Sequence, residues 1–100
     1  MAARRIANRA VEAGVKVQVG CQVGETAILA AAGRLLGASL AAVEIMEGSY
    51  GKRLLSTDLG VDAFEFGRGG EAILQDGDGL GVPIDDRRIE ALTVRCAHID

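Results

Sequence analysis

The stretch "GCQVGETAILAAAGRLLG", residues 20–37, sets one carboxylate, Glu25, at the mouth of the most apolar segment of the chain. A second carboxylate, Glu47, follows the next apolar run, "AAVEIM" at 41–46. A carboxylate in a first helical turn has a plain structural use: the helix dipole favours it there by about 0.3–1 kcal/mol. A carboxylate that follows a strand by a short loop has a chemical one, because parallel α/β folds place their sites after the strands. The two readings of Glu25 stand side by side. On the second, Glu47 occupies the same rim and the two acids face one mouth.

Other chemistry-bearing residues fail on spacing. In "DGDGLGVPIDDR" a calcium loop starting at Asp76 would have Asp78 third and Gly81 sixth. But Leu80 is fifth, Pro83 eighth and Arg87 twelfth, where a bidentate Glu is required. "GRGG" at 67–70 has no Lys-Ser/Thr ending and opens no strong helix, so it is a turn and not a phosphate loop. His98 is the single histidine, and no ligand spacing joins it to Cys21, Cys96 and a carboxylate as a zinc site.

The elements that must position the two acids follow from periodicity. Residues 2–13 form an amphipathic helix, with Ile6, Ala10 and Ala13 on one face, Arg4, Arg5 and Arg9 on the rest, and Gly14 as its stop. "VKVQV" at 15–19 alternates strictly and predicts a strand, its valines on one side and Lys16 and Gln18 on the other. A helix spans about 25–36, stopped by Gly37, and 41–46 is a second strand. Helix, strand, helix, strand with short connections indicates parallel βα units. Glu47 to Gly60 is polar and loop-like. "AFEFG" and "EAILQ" are short strand candidates around the 67–70 turn, Asp85 caps a short helix through Ala91, and "LTVRCAHI" is a last strand.

With 100 residues and 49 % hydrophobic residues but only 3 % aromatic, the core is aliphatic and Ala-rich. A chain of this length buries roughly 60–65 % of its unfolded surface, a thin margin. The net charge of −3 excludes a basic footprint for nucleic acid or an anionic membrane. The N-terminal arginines are spread along a helical pattern with no apolar stretch after them, unlike a signal peptide, so two reduced thiols and a cytoplasmic location are expected. Two parallel strands leave both edges open, and parallel sheets are larger and covered on both faces. The first half looks like a slice of something bigger.

The residues now match a family. "VQVGCQVGETAILAAAGRLLGASL" resembles the seventh strand and following helix of the barrel in the enolase superfamily, in its mandelate racemase and muconate cycloisomerase branch, with its "GC-x-x-GE" stretch. "IMEGSYGKRLL" is similar to the eighth strand and rim loop. "FEFGRGGEAILQDGDGLGVPIDDRRIEAL" resembles the C-terminal segment that leaves the barrel, with Asp78 where that family commonly has proline. The resemblance implies an α/β fold: a C-terminal slice of a (β/α) barrel, its last two strand–helix units over 1–60, and a Gly-rich, β-containing end segment over 61–100. It implies an isomerase (racemase, epimerase or cycloisomerase) in which a lysine or histidine base removes a proton next to a carboxylate and Mg²⁺ stabilises the enediolate. Glu25 then matches the group that hydrogen-bonds the substrate carboxylate or its enolic form, and Cys21 and Glu47 match substrate-binding positions. Glu47 and Glu44 together hint at an amino-bearing substrate.

The base motifs and the metal carboxylates of that family lie on strands upstream of anything in these 100 residues. The chain therefore reads as a C-terminal part, inactive alone, with a small carboxylate substrate only if completed. Its expected partner is a complementary N-terminal piece or further copies of itself. The rival reading is a small oligomeric structural protein that reuses the slice without chemistry.

Overall fold

The computed structural model describes residues 2–48, 50–61 and 65–97. It is an α/β arrangement built on a parallel strand pair. Helix α1 (Ala2–Glu12) ends at Gly14, whose φ of 74° lets the chain reverse into the first strand. Strand β1 (Gln18–Val19) pairs in parallel with β2 (Ile45–Met46), Gln18 against Ile45 and Val19 against Met46. The ladder reaches a little further, as the Glu44 amide donates to the Val17 carbonyl and the Glu47 amide to the Val19 carbonyl, both at 2.9 Å. Between the strands runs α2 (Ala27–Ala38), the right length for a βαβ crossover. Two shorter helices follow, α3 (Gly51–Leu54) and α4 (Asp86–Leu92), with a 3₁₀ turn at Arg68–Gly70 between them.

Helix α2 is the centre of the molecule because it is apolar all round and packs on two sides. Ala27, Ala30, Ala31, Arg34 and Gly37 are its buried residues, at helical spacing. Ala27, Ala30 and Ala31 form the core cluster, with Val82 of the end segment packed on it. Gly33 and Gly37 bring the helix onto the strands, against Val19 and Met46. Arg34, the one charge in the helix, is 6 % exposed and reaches the end segment. Its guanidinium donates to the carbonyls of Ile73 (3.2 Å) and Glu65 (2.9 Å) and lies 5.4 Å from the centre of the Phe66 ring.

Several expectations need correction. The helix expected over 25–36 starts two residues later and runs through Gly37, which does not stop it but packs inside it against Met46. The loop expected from Glu47 to Gly60 contains α3, a single turn too short to leave a periodic signature. No strand forms in the described parts of "AFEFG", "EAILQ" or "LTVRCAHI". Ala63, Phe64, His98 and Ile99 lie outside the described residues. These segments have no neighbouring strand to pair with, and most of their described apolar residues stay exposed, Ile73 at 78 % and Val94 fully. The expected helix cap at Asp85 is present: its carboxylate accepts from the Arg87 amide at 3.1 Å, ahead of α4.

The structure is open for its length. Its radius of gyration is 15.0 Å, against about 13 Å for a compact chain of this size. Its accessible surface is 7678 Å², where a compact monomer of this mass has about 5,400 Å². No large side chain is fully buried among the described residues.

Candidate functional site

The site is built at the ends of the two strands. After β1 the chain turns through Gly20 and Cys21 into a tight loop, closed by two reciprocal bonds. The Glu25 amide donates to the Gln22 carbonyl at 3.2 Å, and the Gln22 amide donates to Glu25 Oε2 at 3.1 Å. Glu25 is 8 % exposed, a rare burial for a carboxylate. It precedes the N-cap Thr26, and its carboxylate binds no helix amide. The helix-end position is filled instead by Asp58, whose two carboxylate oxygens accept from the Ala27 amide at 2.9 and 3.1 Å. Of the two uses open to Glu25, the capping one belongs to another residue.

From the second strand comes Glu47, whose Oε1 accepts from Gln18 Nε2 at 2.7 Å. Its Oε2 lies 3.9 Å from the Cys21 sulfur, a weak S–H contact. Gly48 then passes close over Glu25. A Cβ there would lie 3.2 Å from Glu25 Oε1, a tight contact, and φ is +141°, a conformation that strains any residue but glycine. Cys21, Glu25 and Glu47 thus meet along one cleft of about 270 Å³, whose apolar wall is Leu29, Ala30, Gly33 and Leu36 of α2. Burial, then the negative charges of Glu25 and Glu47, push the Cys21 thiol up from its ordinary value, so it stays a neutral thiol.

The structure brings together the three residues singled out from the sequence and leaves Glu44 out. Glu44 precedes β2, at the other end of the strands, and is paired with Lys16 at 2.9 Å. It contributes nothing to an amino-group site beside Glu47. Sequence reasoning missed Asp58 and Arg34. Asp58 gave no signal, being one polar residue in a polar stretch. Arg34 gave one: a single charge in an otherwise apolar helix must find partners if it is buried.

What the cleft offers chemically is a polar end with two carboxyl groups and a thiol on an apolar floor. No lysine or histidine lines it among the described residues. Nor does any group of three His, Cys, Asp or Glu side chains among the described residues converge as a metal site would. The described residues do not fit the Mg²⁺ that the resemblance implies. No helix of the described residues is long and apolar enough to cross a membrane.

A parallel strand–helix–strand unit with a polar cluster at the strand ends defines an α/β protein of the kind that carries its site on the loops after its strands. More particularly, the chain belongs to the enolase C-terminal domain-like family, whose family model matches residues 1–88. No curated protein and no solved structure matches it.

Proposed function

We propose that the chain supplies the last two strand–helix units of a (β/α) barrel isomerase of the mandelate racemase and muconate lactonizing type. In this reading Glu25, Cys21 and Glu47 are rim residues that receive a small carboxylate substrate. The observation that carries it is the placement of Glu25: buried, turned away from its own helix amides, and facing a cleft shared with Glu47. Removing the proton next to a carboxylate moves negative charge onto the carboxylate oxygens. A hydrogen bond made to those oxygens strengthens as the charge grows. Glu25 performs this role, and Glu47 with Cys21 shapes the rest of the substrate's surroundings.

The base and the divalent cation come, in this reading, from barrel strands outside these 100 residues, so the chain alone is inactive. The open surface supports the need for completion. The excess of roughly 2,300 Å² over a compact monomer is of the size that permanent interfaces bury. A complementary piece of barrel or further copies of the chain cover it.

Two measurements test the reading. The chain alone should exchange no α-proton of amino-acid derivatives or hydroxy acids in D₂O above the buffer rate. Mg²⁺-dependent exchange by the chain alone would refute its incompleteness. Joined to complementary barrel strands, Glu25→Gln should lower turnover on the order of 10²–10³-fold with little change in melting midpoint. Unchanged turnover with a lowered midpoint would reduce Glu25 to a structural residue.

A further inference from the structure

Two carboxylates compete for the N-terminal end of α2. The first turn of a helix has amides without intrahelical partners and a partial positive charge. Glu25 is the nearer in sequence, two residues before Ala27. The position is nevertheless held by Asp58, which accepts from the Ala27 amide with both oxygens and from the Gly60 amide at 3.1 Å with Oδ1. The loop that carries Asp58 is fixed from its other side by α4. Arg88 Nη1 donates to the carbonyls of Asp58 (3.0 Å) and Gly60 (2.6 Å), and the Asp85 amide donates to the Leu59 carbonyl at 3.0 Å. Gly51, the first residue of α3, sits where these pieces meet. A Cβ there would lie 2.8 Å from Asp58 Oδ2 and 3.1 Å from the Glu25 carbonyl oxygen.

We propose that Asp58 is the positioning residue of the cleft carboxyl: by occupying the end of α2 it keeps Glu25 turned toward Cys21 and Glu47 instead of onto its own helix amides. The inference rests on the reading of Glu25 as the cleft group. Without Asp58 the nearest anion for the vacated amides is Glu25 itself. Its only hydrogen bond from a described residue to the carboxylate, from the Gln22 amide, is weak competition for a helix end.

The Cys21 thiol reports where Glu25 points. The charged groups that face it are Glu25, in its own loop, and Glu47, after β2. In the full chain with Cys96→Ser as background, the pH midpoint of iodoacetamide alkylation is measured for the parent, Asp58→Ala, Asp58→Asn, Glu25→Gln, and Asp58→Ala with Glu25→Gln. Asp58→Ala should shift the midpoint down to that of Glu25→Gln, and in the Glu25→Gln background it should add no further shift. Asp58→Asn keeps an Oδ1 that accepts from both amides and should stay at the parent midpoint. The proposal is overturned if Asp58→Ala leaves the midpoint unmoved and lowers only the melting temperature. It is equally overturned if the midpoint falls past that of Glu25→Gln to that of the chain in urea, or if Asp58→Asn shifts as far as Asp58→Ala. The titration reads the direction of Glu25 and not its effect on a substrate, so its failure is separable from that of the turnover test.

Discussion

Helix α2 carries two internal glycines, and only one of them should gain stability when replaced with alanine. A glycine inside a helix costs about 1 kcal/mol relative to alanine. At Gly33 a Cβ would lie 3.8 Å from Val19 Cγ1, an ordinary contact, with nothing closer. The full gain of about 1 kcal/mol is therefore kept. At Gly37 a Cβ would lie 2.5 Å from Met46 Sδ, 3.2 Å from Cε and 3.4 Å from Cγ. The flexible end of the Met46 side chain must shift, at a cost of up to the about 1–3 kcal/mol typical of overpacking. Set against the same propensity gain, the net is between no change and a loss of about 2 kcal/mol.

For a domain of about 100 residues 1 kcal/mol moves the melting midpoint by about 4–8 °C. Gly33→Ala should raise the midpoint by that much in a far-ultraviolet circular dichroism melt at fixed concentration. Gly37→Ala should leave it unchanged or lower it by up to roughly twice that shift. The control is Met46→Ala, which removes the obstructing atoms. In that background Gly37→Ala should stabilise like Gly33→Ala. Equal stabilisation at both positions with Met46 intact would refute the close seating of the Met46 side chain on Gly37. Gly33 also lines the cleft, so its added methyl trades space beside the candidate site for stability.

Arg34→Met should cost about 1–3 kcal/mol, because the Ile73 and Glu65 carbonyls lose a buried donor, and should speed limited proteolysis within 65–75; Arg34→Lys should not fully restore protection, since it replaces two separate guanidinium nitrogens, one on each carbonyl, by a single nitrogen. Because the Cys21 thiol is raised in the folded chain from an ordinary value of 9.0, its contribution to stability should be constant below that pH and be lost as pH rises above it, where the unfolded chain releases the proton first. Glu47→Gln should lower the alkylation midpoint of Cys21, and an unchanged midpoint would mean the two do not face each other. The chain at tens of micromolar should elute as an assembly by light scattering, and a cooperative species of 10.4 kDa would contradict the reading of its open strand edges.

The alternation of helix and strand was legible because it rests on local periodicity: "VKVQV" announces a strand, of which Gln18–Val19 forms, "AAVEIM" another, of which Ile45–Met46 forms, and the run from Ala27 announces α2. The Asp85 cap was legible for the same reason, since a cap acts within its own turn. What was not legible depends on residues far apart. Gly37 reads as a helix stop from its type, yet the helix continues because Met46 needs the space a side chain would take. The apolar residues of 71–75 suggest a strand, but the backbone there is held by Arg34 from another element and meets no strand partner. Of the site, Glu25 and Glu47 were visible as acids after strands. That Glu25 is free of its helix end was not, because the competing anion, Asp58, lies 31 residues downstream of the Ala27 amide it binds.

These long-range contacts explain why so short a site needs so long a chain. Glu25 and Cys21 are set by a five-residue loop, but the loop is only as fixed as the helix it enters. Helix α2 is fixed on one side by the strands and on the other by the end segment, through Val82 on its alanines and Arg34 on the 65–73 backbone. Its first amide is held by Asp58, whose loop is held in turn by Arg88. The end segment is thus a brace for the cleft, and its last working side chain is Arg88. The family match also ends at residue 88. Beyond α4 the described residues 93–97 are exposed, and Thr93 bonds only within its own turn, to the Ile89 carbonyl.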